Sequence, residues 1–149
     1  MKKLEFKTTV NAPAEKLWSA LWDDASYREW TSVFAEGSKA ESDWKEGSEI
    51  LFLDGKGSGM VSVIEKLEPN RFMSFKHLGV MRDGVKDMES KENESWAGAL
   101  ENYTLTPGNG GTELYVELKA KEMDPKMYAY FANAWPQALQ KLKDIAEKK

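Results

Sequence analysis

The stretch AYFANAWPQALQKLKD, residues 129–144, decides the fold. With Met127 just ahead of it, Phe131, Trp135, Leu139 and Leu142 fall on one apolar stripe with a helical period of about 3.6 residues. Pro136 sits inside that stripe. A proline in a helix interior removes a backbone donor and collides with the carbonyl four residues back, at a cost of about 3 kcal/mol. Two separate helices would not keep one phase across such a breaker. The pattern therefore predicts one bent helix whose apolar face covers something curved. Asp124-Pro125 opens it, an N-cap followed by proline at the first helical position.

Working back from this helix, the order of elements is strand, one or two helices, about six strands, long helix. LEFKTTV, residues 4–10, sets Leu4, Phe6, Thr8 and Val10 against Glu5, Lys7 and Thr9, the alternation of a half-buried strand. NAPAEKLWSALWDD, residues 11–24, starts a helix with Pro13 in its first turn and Leu17, Trp18 and Leu21 on its apolar face. ASYREWTSVF, residues 25–34, predicts a short second helix. Residues 48–79 hold three strand-like runs separated by DGKGSG and EPNR, both rich in turn formers. VMRDGVKDMESKENES, residues 80–95, is charged and without period, so a long loop running from about Gly79 to Ser95 is expected. Residues 96–120 read as a hairpin with PGNGG at its tip. Strands joined by short turns are antiparallel, and such a sheet needs helices on one face, which gives an α+β class.

Composition narrows the function classes. A chain of 149 residues, 41% hydrophobic and 31% charged, suits one soluble domain, residues 1–149. Net charge is −4 and no basic stripe is present, which argues against nucleic acid as a partner. No apolar run reaches the length of a membrane span, and MKKLEFKTTV alternates rather than forming a signal peptide. With no cysteine there is neither a disulfide nor thiolate chemistry, and a cytoplasmic location is expected. The sequons NES and NYT then carry no glycan. Six Trp, six Phe, five Tyr and seven Met make the apolar part bulky and adaptable.

The layout, with NAPAEKLWSAL, DWKEGS ahead of a strand, EPNRFMSF and AWPQALQKLK, resembles the START-related, birch-pollen-allergen-like superfamily often called SRPBCC. Within it the chain is similar to the AHSA-type branch, homologues of the C-terminal domain of chaperone ATPase activators. The resemblance spans almost the whole chain and rests on scattered structural motifs. It implies a helix-grip fold: a curved antiparallel sheet of about six or seven strands wrapped around the long C-terminal helix, often with a cavity between them. The bend at Pro136 would then let the helix follow the sheet at one end and stand away at the other. It implies no single function, because one fold hosts lipid carriers, hormone receptors, cyclases and co-chaperones.

Two residues stand out for chemistry. His77, the one histidine of the chain, shares its phase with Met73 and Phe75 and is either a polar group in the cavity or a satisfied histidine at a strand end. Glu101 falls on the phase of Ala99, Tyr103 and Leu105. If Leu105 points inward, so does Glu101, and a carboxylate in an apolar cavity can serve as acid or base. Alternatively Leu100 points inward or a bulge shifts the phase, and Glu101 is solvated, the plainer expectation for a carboxylate. Candidate ligand-binding residues are Trp30, Phe34, Phe52, Met73, Phe75, His77, Trp96, Glu101, Tyr103, Phe131 and Trp135, though aromatics at such spacings are often plain core.

Other motifs carry less. DGKGSG lacks the Lys-Ser/Thr and following helix of a phosphate loop and reads as a hairpin turn. The carboxylates of RDGVKDMESKENE match no EF-hand spacing. One histidine without cysteine argues strongly against a zinc site, and no nucleophile elbow or triad is visible. No metal or cofactor is expected. Three readings follow: a small binding protein holding an apolar or amphipathic molecule, an interaction module that partners a chaperone, and a cyclase- or dehydratase-like enzyme using His77 and Glu101. A deep pocket faced by both residues would favour the third, and a large exposed apolar patch the second.

Overall fold

The computed structural model describes residues 2–88, 97–108, 110–121 and 125–148. The chain opens with β1 (Lys2–Val10), α1 (Ala14–Trp22) and α2 (Asp24–Thr31). Six strands follow in succession: β2 (Lys39–Glu41), β3 (Glu49–Leu53), β4 (Gly59–Glu68), β5 (Phe72–Arg82), β6 (Val85–Asp87) and β7 (Leu100–Gly108). Then come β8 (Gly111–Ala120) and the long helix α3 (Pro125–Glu147). The strands form one curved antiparallel sheet in the order β1-β8-β7-β5-β4-β3-β2, with β6 paired to β5. This is the helix-grip architecture expected from the sequence, with eight strands and two short helices among the described residues.

The curvature has a local cause. Between β4 and β5, Ser62 and Val61 are consecutive but pair with His77 and Gly79, leaving Leu78 as an extra residue. Further along, Ile64 pairs with Phe75 and Lys66 with Ser74, leaving Glu65 extra on the other strand. Each bulge bends its strand and increases the twist. The start of β4 also needs a bare backbone: a Cβ on Gly59 would lie 1.8 Å from the Phe52 carbonyl oxygen.

The apolar stripe of α3 runs through Pro136 unbroken. Trp135, Ala138, Leu139, Leu142 and Ala146 are all buried, on a helix that packs against α2, β1 and α1. Pro136 and Ala132, whose carbonyl loses its helical partner, both lie on the exposed face, which keeps the break cheaper than a buried one. Beside it, the Gln137 side-chain amide donates to the Asn133 carbonyl at 3.1 Å. Ahead of Ala134 the helix is exposed or half-buried, so α3 grips the sheet by its C-terminal half.

One expectation needs correction. The polar segment after Gly79 is not a loop from its start: β5 runs on to Arg82 and turns at Asp83-Gly84, both with positive φ (49° and 79°), into β6. That is the two-residue hairpin which Asp-Gly favours. Lys86 then pairs with Glu49 at 2.8 Å across the edge of the sheet. Strand edges exposed to solvent carry charge without losing their pairing, so charge alone misread them. Trp96, the rest of that predicted loop from Glu89, and the predicted N-cap Asp124 lie outside the described residues.

Candidate functional site

The first half of α3 overhangs a cavity of about 240 Å³. Trp30 and Phe34 enter it from α2 and the segment after it, Phe52 and Met60 from β3 and β4. Glu101 and Tyr103 reach it from β7, and Phe131 and Trp135 close it from α3. Two hydrogen bonds fix these walls. Trp30 Nε1 donates to the Leu21 carbonyl at 3.1 Å, locking α2 onto α1. The Tyr130 hydroxyl donates to the Phe34 carbonyl at 2.6 Å, tying the overhanging helix to the chain after α2.

A buried polar chain lies beneath. Alternation along β7 points Glu101 inward with Tyr103 and Leu105, so the solvated alternative does not hold; its side chain is only 14% exposed. Register sets Phe75 opposite Glu101 and Met73 opposite Tyr103, while the bulge at Leu78 sets Ser62 opposite His77. Ser62 Oγ lies 2.6 Å from His77 Nδ1, and His77 Nε2 lies 3.2 Å from Glu101 Oε1. The Tyr103 hydroxyl donates to Glu101 Oε2. Nε2–H donating to the carboxylate, with the Ser62 hydroxyl hydrogen-bonded to Nδ1, satisfies these contacts together.

Serine, histidine and carboxylate thus stand in line, an arrangement not foreseen from residue spacing. Access runs the wrong way for a nucleophilic serine, however. Ser62 is fully buried and does not line the cavity, whereas Glu101 does. The group presented to a guest is the carboxylate, with His77 and Ser62 behind it.

Burial, and after it the charge of Glu101, push the Tyr103 phenol well above its ordinary range, and the same causes act on Tyr27. At the rim, the backbone N–H groups of Lys56 and Ser58 hold the Asp54 carboxyl below the usual carboxylate range. The tyrosines set an alkaline limit. Their folded pKa values lie above the unfolded ones, so their contribution is complete below pH of about 10 and is lost as pH rises toward the folded values. Each adds a slope of up to about 1.4 kcal/mol per pH unit. Urea unfolding followed from about pH 9 to 12 should show stability falling above about 10, and Tyr103→Phe should flatten the fall. A wild-type profile that is flat to the top of that range would contradict the buried placement of both phenols.

Seven of the predicted residues meet at the cavity: Trp30, Phe34, Phe52, Glu101, Tyr103, Phe131 and Trp135. Met73 and Phe75 keep the predicted phase but lie deeper, 1% exposed or less, where Phe52 and Trp22 cover Phe75 with ring centroids 5.0 and 5.3 Å away. His77 borders a separate recess of about 10 Å³ rather than the main cavity. Phase tells which face a residue takes but not its depth along the strand. Sequence reasoning missed Tyr27, Thr31 and Asp54; Tyr27 lies three residues before Trp30 on α2, a helical spacing that points to the same wall. Among the described residues no cluster of His, Asp or Glu is arranged to hold a metal, and no helix is long and apolar enough to cross a membrane.

Solved structures share this architecture. The protein MLL2253 from Mesorhizobium loti superposes with a TM-score of 0.76 at 21% identity, covering 97% of this chain and 96% of its own. Aha1 from Colwellia psychrerythraea, solved as a dimer, gives 0.71 at 21% identity, covering 99% and 97%. ChR145 from Cytophaga hutchinsonii gives 0.71 at 23% identity, covering 99% and 94%. At such identities the likeness is one of fold. The comparison with curated proteins gives no match. The family described as Activator of Hsp90 ATPase homolog 1-like protein matches residues 11–147, and the chain belongs to it, within the AHSA-type branch of the SRPBCC helix-grip proteins.

Proposed function

We propose that this protein binds a small apolar or amphipathic molecule in the cavity between the sheet, α2 and the overhanging half of α3. The observation that carries the reading is the cavity itself: about 240 Å³, walled by aromatic rings, with a single buried carboxylate reaching it from β7. A dry apolar cavity of about 150 Å³ accepts benzene, so this one suits a guest of roughly ten non-hydrogen atoms. Native mass spectrometry of protein purified from its own source is the test. A reproducible small-molecule adduct, lost on denaturation, is expected. Protein that is always free of adduct and gains none when incubated with naphthalene-sized compounds would overturn the reading.

The relay favours a second reading, an acid–base enzyme of the cyclase or dehydratase type. Glu101 meets the guest while the Tyr103 hydroxyl and His77, 3.2 Å behind it, hold its carboxylate in place, so it is positioned to take a proton from a substrate. The captured adduct discriminates: a carrier returns it unchanged, an enzyme converts it. The family description also supports docking on a chaperone, for which the exposed Tyr128 and Tyr130 of α3 offer contact area. Stimulation of a chaperone ATPase by the purified protein would favour that reading over a carrier.

A further inference from the structure

We propose that the cavity selects a guest with a protonated amine head over one with a carboxylate head. The inference rests on the binding reading above and adds the chemical class of the guest. Among the described residues that line the cavity, the ionisable acids are Glu101 and Asp54, and none is Lys, Arg or His. A carboxylate head would therefore meet negative charge at both the rim and the floor. A cationic head meets attraction at both.

The hydrogen bonding of Glu101 leads the same way. A carboxylate offers about four acceptor sites. Tyr103 occupies one on Oε2 and His77 Nε2 one on Oε1, so what remains toward the cavity is acceptor capacity alone. A guest must bring donors to meet it. Among the described residues that line the cavity, none brings a positive charge to face the Glu101 carboxylate. Buried charge is costly unless paired, so a cationic guest supplies what the site lacks. The walls add to this preference. Trp30, Phe52, Tyr103 and Trp135 surround the cavity, and the faces of aromatic rings attract cations.

The experiment uses three compounds with one apolar body: 1-naphthylmethylamine, 1-naphthalenemethanol and 1-naphthoate. Each is titrated calorimetrically into the full chain at neutral pH. The amine should bind at least about tenfold more tightly than the alcohol, the gain of a charge-assisted contact, and the naphthoate should be weakest. Glu101→Gln should weaken the amine far more than the alcohol and so close the gap between them. Equal affinity for amine and alcohol, or tightest binding of the naphthoate, would overturn the inference while the cavity reading stands. If none of the three binds, the cavity reading fails and takes this inference with it. Should Glu101→Gln fail to fold, the wild-type ranking of the three compounds decides alone.

Discussion

Replacing Trp135 by alanine is expected to cost about 3–5 kcal/mol of folding stability, read as a lower urea midpoint at unchanged slope. Trp135 is 3% exposed, and its ring meets those of Phe6, Trp30, Phe34 and Tyr103 with centroids 5.9, 6.0, 5.0 and 6.0 Å away. One side chain thus joins β1, α2, the chain after α2 and β7 to α3. The residue is at once core and cavity wall: its sides are packed and part of its surface meets the void. Removing it deletes the contacts and enlarges the void, and the neighbours cannot close in because each is held by its own strand or helix. A loss below about 1 kcal/mol would mean the ring is not packed as described.

The second large effect is expected at His77. His77→Ala deletes a side chain that is 1% exposed and leaves both the Ser62 hydroxyl and one oxygen of Glu101 without their partner. The combined cost should be about 3–5 kcal/mol, the range for breaking one side of a buried polar pair. Glu101→Gln is nearly isosteric and keeps an acceptor for Tyr103, so it should cost about 1 kcal/mol. The double variant should then fall short of the sum by about 0.5–3 kcal/mol, because the two side chains share one contact. Strict additivity in that cycle would deny the relay.

Much of this fold was legible in residues 125–147, because the stripe from Met127 to Leu142 holds its phase across Pro136 and only a curved partner needs such a face. Hairpin turns were legible where Gly, Pro and Asn mark them, as in DGKGSG and PGNGG. The Asp83-Gly84 turn carried the same mark and was overlooked, since the charges around it suggested solvent rather than a strand edge. The inward side of β7 followed from alternation once Leu105 was taken as core. Which reading of Glu101 wins depends on its partners, Tyr103 on β7 and His77 on β5, and the bulge at Leu78 that sets His77 against β4 is announced by no residue type. The meeting of Ser62 with His77 was hidden for the same reason: a register shift of one residue decides which side chains face each other. Depth was hidden as well. Phe75 and Phe52 alternate alike, yet Trp22 arrives from α1 to cover Phe75, and only tertiary packing decides that.

The central claim is that a small guest enters the cavity beside Glu101. The most direct measurement is the indole N–H spectrum of the tryptophans by 1H–15N NMR during titration with 1-naphthalenemethanol. Trp30 and Trp135 line the cavity, whereas Trp18, Trp22 and Trp44 do not. Saturable shifts of the Trp30 and Trp135 indole signals are expected, with those of Trp18, Trp22 and Trp44 staying in place. No shift at saturation of the compound, or shifts at Trp18 and Trp44 with Trp30 and Trp135 still, would contradict it.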